Sequence, residues 1–310
     1  MNDVRHIRPG SRQAWLLAAR PRTLPVGLAP VLVGAALGWA APQPFSPWAF
    51  LLAALAATAM QIASNLINDA LDYDRGIDDD SRLGPPRAAA MGLLRSADLK
   101  RATAFLLAFA ALLGTWLVYK GGWPILALGS LAILAALAYT AGPFPLGYIG
   151  LGEVFAFLFF GPGAVLGTAW LTGETLSATG ALLSIGPGLL SANVLAVNNL
   201  RDEDIDRRKG KKTLPVRLGR RWALRLFVLA QGATFALPCA LGLYQRAYAL
   251  LLPLLALPLG VSIIYQLYRC TDRRNLNRTL AQSAMLMLLY ALLLSAGIVA
   301  SLPTLSCVSI

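Results

Sequence analysis

About nine stretches of mostly apolar residues, each long enough to cross a bilayer, follow one another along the chain, and no other feature restricts its fold as severely. A helix needs about 18 to 22 such residues to span ~30 Å of hydrocarbon. Runs near 24–41, 48–70, 102–119, 123–141, 148–171, 175–199, 222–243, 247–268 and 281–301 meet that length. None alternates as a strand would, and a spanning sheet must close into a barrel with alternating polar positions, so the expected fold is an all-α polytopic bundle of about nine transmembrane helices. Composition agrees: 310 residues that are 57% apolar and 14% charged, with mean hydropathy +0.61, are too hydrophobic for a soluble domain and too long for a single anchor. The chain reads as one integral membrane domain, 1–310, with a polar tail at 1–19. The flank "RPRTLPVGLAP" places prolines where the apolar region of a cleaved signal would stand, so the first run reads as a span.

Charge gives the orientation. Of 27 Lys and Arg residues, 25 fall in the N-terminal tail (Arg5 to Arg22) and in three connections, Arg75 to Arg101, Arg201 to Arg225 and Arg269 to Arg278; only Lys120 and Arg246 lie in the opposite set. The positive-inside rule then puts the N-terminus in the cytoplasm and the C-terminus outside a bacterial cytoplasmic (inner) membrane, as nine helices require. A net charge of +12 is accounted for by this asymmetry and needs no nucleic-acid partner. Cys239, Cys270 and Cys307 show neither metal-ligand spacing nor a pairing pattern, and the single histidine, His6, lies in the tail, so zinc, disulfide and histidine-base readings fall away.

Ten of the 15 acidic residues are gathered in two stretches, "NLINDALDYDRGIDDD" from Asn65 and "NNLRDEDIDRRKGKKTL" from Asn198, each directly behind an apolar run and each on the cytoplasmic side. Asn198, Asp202 and Asp206 are spaced four and four, which stacks them on one face if the helix continues; Asn68 and Asp72 are likewise four apart. Gly76 is suited to end that first helix in a left-handed conformation, so that the chain turns and Asp78 comes back toward Asp72. Each corner thereby offers an amide and two carboxylates to one point. Carboxylates crowded at a membrane boundary need a positive occupant. Oxygen ligands with room for water and phosphate suit Mg²⁺, for which the expected ligands are Asn68, Asp72, Asp78, Asn198, Asp202 and Asp206. Two such corners facing each other would hold a diphosphate, with Arg82, Arg87, Arg201, Lys211 and Lys212 as direct donors to phosphate. Asp74, Asp79, Asp80, Glu203 and Asp204 lie off the spaced face and read as solvated helix-end charges.

The paired N-x-x-x-D and D-x-x-x-D corners resemble those of the UbiA superfamily of intramembrane aromatic prenyltransferases. Within it, "RPRTLPVGLAPVLVG" (20–34), "NLINDALDYDRGID" (65–78), "RLGPPRAAAMG" (82–92), "AYTAGPFPLGYIGLGE" (138–153) and "VNNLRDEDIDRRKGKKTLPVRLG" (197–219) look like the branch that prenylates 1,4-dihydroxy-2-naphthoate for menaquinone biosynthesis. The resemblance covers residues about 20 to 219. It implies Mg²⁺-dependent transfer of a polyprenyl group from polyprenyl diphosphate to that naphthoate with loss of CO₂. Asn68, Asp72, Asp202 and Asp206 are then the catalytic residues, and Tyr139 joins the diphosphate site. Many members carry a third aspartate four residues past the first-corner Asp, where this chain has Gly76, and the branch it resembles uses the position of Asp78. A basic residue common in other branches four positions after the tyrosine is here Pro143.

Other residues admit two readings each. Arg20 and Arg22 at the mouth of the first span either attract the ring carboxylate of the acceptor or serve orientation alone. Glu153, just inside the fifth span, is either a functional carboxylate at the ring site or a hydrated interfacial one. Pro162 and Pro187, each in a "GPG" triplet, are expected to kink their helices and open space, or to be plain packing accommodations. Recurrence of the corner about 134 residues on suggests a four-helix unit used twice, roughly 20–141 and 148–268, with a ninth helix appended. Alternatives are a 4-hydroxybenzoate polyprenyltransferase and, from another class, an ion-coupled transporter. Against the latter, transport sites lie near the midplane, whereas these acids follow the apolar runs and mix with Arg and Lys.

Overall fold

The computed structural model describes residues 6–76, 83–139, 145–173 and 176–301, and among these all regular structure is helical. The helices are α1 (Arg12–Ala19), α2 (Leu24–Ala40), α3 (Pro47–Asp74), α4 (Ser96–Gly121), α5 (Trp123–Ala138), α6 (Gly152–Leu158), α7 (Ala164–Thr172), α8 (Ala178–Arg208), α9 (Leu214–Leu218), α10 (Arg220–Tyr244), α11 (Leu257–Arg269) and α12 (Leu276–Ala300). A π-helical turn, Phe159–Gly163, joins α6 to α7, and a 3₁₀ stretch, Tyr248–Ala256, runs into α11. Eight of the resulting helical rods are long and apolar enough to cross a membrane, and α5 is a shorter apolar helix. Each rod falls on one of the nine apolar runs. The short α1 and α9, five to eight residues long, carry too little periodicity to be read from sequence.

Burial sorts the helices. α2, α8 and α12 form the centre, with α2 packed along α7 and α12, and α8 packed between α6, α10 and α12. The last helix, the ninth added to the two expected four-helix units, is part of the core. Tyr290 of α12 fastens it: fully buried, it donates to the carbonyl of Thr234 at 3.0 Å and meets Phe235 edge-on with centroids 5.8 Å apart. α4 and α5 lie outside, where Phe105, Leu112, Leu131 and Leu134 present exposed apolar faces suited to lipid. Exposed Trp39, Trp48, Trp123, Trp170, Tyr244 and Tyr248 gather at the helix ends opposite the basic connections, as an interfacial belt requires.

Of the two readings open for the "GPG" triplets, the structure favours packing accommodation, with a kink at the first alone. Pro162 does break its rod, since Gly161 has φ −100° and ψ −106° inside the π turn. Pro187 instead sits within an unbroken α8. At these glycines the triplets bring elements close: a Cβ on Gly161 would stand 2.8 Å from the Cα of Gly188, and one on Gly186 would overlap the hydroxyl of Tyr290. Glycine beside proline lets the backbones touch where the proline removes a hydrogen bond, which offsets the cost of the break.

Candidate active site

α3 and α8 contain 28 and 31 residues, about 42 and 46 Å at 1.5 Å per residue, well beyond the ~30 Å of hydrocarbon. Their last turns therefore project past the apolar layer, and these turns carry the acidic corners. α8 continues to Arg208, so Asn198, Asp202 and Asp206 stack on one face; Asn68 and Asp72 do the same on α3. Gly76 has φ +64° just after α3, the left-handed stop expected of it. Asp78 and Arg82 lie outside the described residues, as does Pro143.

Asn68, Asp72, Asn198, Asp202 and Asp206 all line one cavity of about 920 Å³. The corners thus face a common space. Arg20, Arg87, Tyr139 and Lys211 line it as well, and away from the charges its wall is apolar, with Gly114, Leu117, Gly129, Phe155, Phe160 and Gly167. A polar end joined to a long greasy slot fits a charged head on a hydrocarbon tail.

In the first corner, Asp72 is buried and both of its oxygens are engaged: Arg87 donates from Nη2 to Oδ2 at 2.8 Å and Tyr148 donates from its hydroxyl to Oδ1 at 2.7 Å. Asp69, 1% exposed, accepts from the backbone N–H groups of Ala88 (3.0 Å) and Ala89 (3.2 Å), which fixes the segment bearing Arg87 against α3. Burial and the adjacent Asp72 carboxylate push the Tyr148 phenol up, so it remains a donor at any physiological pH.

The second corner is organised by Arg201, 1% exposed. It grips Asp202 through Nε to Oδ1 (2.8 Å) and Nη2 to Oδ2 (2.6 Å), and it also donates to the Oδ1 atoms of Asn198 (2.8 Å) and Asn277 (2.9 Å). Asn277 in turn donates to the carbonyl of Leu83 at 2.7 Å, tying α12 to the loop after the first corner. Asp206 accepts from Thr213 at 3.3 Å.

The remaining expected residues are dispersed. Arg201 orients the corner and does not line the cavity, and neither do Arg22 and Lys212, which are exposed. Glu153 is buried, accepts from Asn199 at 2.8 Å and faces the α6–α8 contact. Glu203 and Asp204 pair with Arg273, and Asp74 with Lys100, so these acids are held in ion pairs away from the cavity; Glu203 is buried, which corrects its reading as a solvated helix-end charge. Tyr148 and Thr213 were not singled out from sequence. Their partners are remote or lie across a turn, and no spacing rule encodes a contact 76 residues long.

The donor set is all oxygen, with three carboxylates and two amides on one cavity, the chemistry that suits Mg²⁺. Among the described residues no three His, Cys, Asp or Glu side chains stand close enough to enclose an ion by themselves. Mg²⁺ typically takes only one or two carboxylates and leaves its other positions to water and phosphate.

Known proteins are similar in sequence and in fold. The chain is 36% identical over 295 residues to a 1,4-dihydroxy-2-naphthoate octaprenyltransferase of Haemophilus influenzae, covering 92% of this chain and 95% of that one. It is 42% identical over 213 residues to the protein of that name from Escherichia coli, covering 67% and 69%. Among solved structures, a UbiA homolog from Archaeoglobus fulgidus bound to DMAPP and Mg²⁺ superposes with TM-score 0.62 at 16% identity, over 91% of this chain and 99% of that one; at that identity the likeness is one of fold. The UbiA prenyltransferase family itself matches residues 27–292, a range that holds both acidic corners and the whole cavity wall apart from its edge at the first span. With fold and sequence in agreement, the chain belongs to the UbiA prenyltransferase family and is a membrane-embedded prenyltransferase.

Proposed function

We propose that the protein transfers a polyprenyl group from polyprenyl diphosphate to 1,4-dihydroxy-2-naphthoate with loss of CO₂, giving demethylmenaquinol. The observation that carries this reading is the joining of both acidic corners to one apolar slot, supported by relatives that bear the naphthoate octaprenyltransferase name. The diphosphate lies at the polar end and the tail runs along the slot beside Gly114, Gly129 and Phe160. Asn68, Asp72, Asn198, Asp202 and Asp206, with Asp78 from outside the described residues, would hold Mg²⁺, which when bound would supply positive charge to offset that of the leaving diphosphate.

The allylic carbon–oxygen bond breaks with its electron pair going to diphosphate, so negative charge grows where Arg87 and Lys211 line the cavity. Preplaced cations there stabilise the transition state at no cost in reorganisation. The apolar wall keeps water from the allylic cation. A ring carbon ortho to a hydroxyl attacks; when that carbon bears the carboxylate, the carbon–carboxylate bond breaks, CO₂ departs, and its electron pair restores the ring. Decarboxylation takes the place of deprotonation, so no side-chain base is needed. Arg20, which lines the cavity, receives the acceptor's carboxylate, and Tyr139 completes the wall near the diphosphate. The corners face the cytoplasm of a bacterial inner membrane, and the halves 20–141 and 148–268 act as two units that each present one corner.

Purified protein given Mg²⁺, a polyprenyl diphosphate and the naphthoate is expected to form the prenylated naphthoquinol and release CO₂ in step with it, with 4-hydroxybenzoate a poor acceptor. Efficient prenylation of 4-hydroxybenzoate without turnover of the naphthoate would move the enzyme to the ubiquinone branch.

A further inference from the structure

Both corners reach one side chain that neither contains. Tyr148 sits in the short loop between α5 and α6, and its hydroxyl donates to Asp72 of the first corner at 2.7 Å. The ammonium of Lys211, five residues past Asp206, lies 4.3 Å from the centroid of the Tyr148 ring, well inside the range of a cation–π contact. The carbonyl of Tyr148 accepts from the backbone N–H of Lys212 at 2.7 Å, and Lys211 is itself anchored by its N–H to the carbonyl of Asp206 at 2.9 Å. The neighbouring Ile149 carbonyl accepts from Arg217 at 3.1 Å, and the Arg75 guanidinium, just beyond α3, stands 5.4 Å from the ring. The loop is thus stitched to the chain after each corner, and Tyr148, Asp72 and Lys211 all line the cavity.

We propose that Tyr148 is a positioning residue that yokes the two corners, aiming the Asp72 carboxylate with its hydroxyl and holding the Lys211 ammonium over its ring where the diphosphate binds. The proposal rests on the diphosphate reading of the cavity. Two separate effects follow. A hydrogen-bonded carboxylate is fixed in direction, and loss of such an orienting partner typically lowers metal affinity about 10- to 100-fold. A lysine on a flexible stem loses less entropy on meeting phosphate when an aromatic face already restrains it.

Tyr148→Phe separates them, because it removes the hydroxyl and keeps the ring. The test is the affinity of the purified protein for geranyl diphosphate without acceptor, by calorimetry in EDTA and across a Mg²⁺ titration, in Tyr148→Phe, Asp72→Asn, Lys211→Gln and the two double variants that include Tyr148→Phe. Tyr148→Phe is expected to bind geranyl diphosphate within about twofold of wild type in EDTA but to need at least ~10-fold more Mg²⁺ for half-maximal tightening. In the Asp72→Asn background it should add nothing further, whereas Lys211→Gln should weaken binding in EDTA equally with Tyr or Phe at 148, since distinct contacts add and shared ones do not. A Mg²⁺ requirement unchanged in Tyr148→Phe, or one that worsens further on top of Asp72→Asn, would overturn the positioning role. Coupling between Tyr148→Phe and Lys211→Gln in EDTA would overturn the separate task given to the ring. Failure of the wild-type protein to bind geranyl diphosphate at all would instead contradict the reading of the cavity.

Discussion

Arg201 carries the second corner almost alone. Its guanidinium meets Asp202 twice and reaches Asn198 and Asn277 as well, from a position 1% exposed. A planar fork is what allows three acceptors to share one cation, and an ammonium has no equivalent geometry. Arg201→Met leaves Asp202 without its partner in a nearly buried site, a loss of about 3–5 kcal/mol. Thermal unfolding in detergent should show that loss, and Arg201→Lys should recover only part of it. That the five spaced residues of the two corners share a helix face was legible because helical spacing is local, four residues being about one turn. The tasks of Tyr148 and Asp69 were not, since their partners lie 19 to 76 residues away, and Arg201's reach to Asn277 likewise spans 76 residues.

At the scale of elements, hydropathy was enough to place every spanning rod, because a bilayer sets one length for all of them. It was blind to how closely the rods approach. The crossing of the π turn with α8 is made by glycine, and a Cβ at 188 would lie 2.7 Å from the carbonyl oxygen of Phe157. Gly188→Ala should destabilise the protein by about 1–3 kcal/mol through overpacking. Gly114→Ala, whose Cβ would meet nothing within 4 Å because it faces the slot, should melt at the wild-type temperature or slightly above it. Equal melting of the two variants would show that this crossing is looser than the structure has it. The prolines left two readings open for the same reason: a sequence shows the missing hydrogen bond but not the neighbour that fills the gap.

For the whole molecule, orientation decides whether the site meets substrates from the cytoplasm. Cys270 lies directly after α11 in a basic connection and is partly exposed. With 25 of 27 cationic residues assigned to one side, an impermeant thiol reagent applied to intact cells should leave Cys270 unlabelled until the membrane is opened. Labelling in intact cells would invert the topology. The account as a whole stands on the two corners acting as one site, since both line the same cavity while lying on separate helices. Residues that act as a unit lose function together, so a second loss costs little after the first. The most direct measurement is kcat for Asp72→Asn, Asp206→Asn and the double variant, each with and without EDTA. Each single change should lower kcat about 10²–10³-fold, the double change should cost little more, and EDTA should abolish turnover of the wild-type enzyme. Full turnover in EDTA, or losses in the two single variants that simply multiply in the double, would contradict a shared metal–diphosphate site.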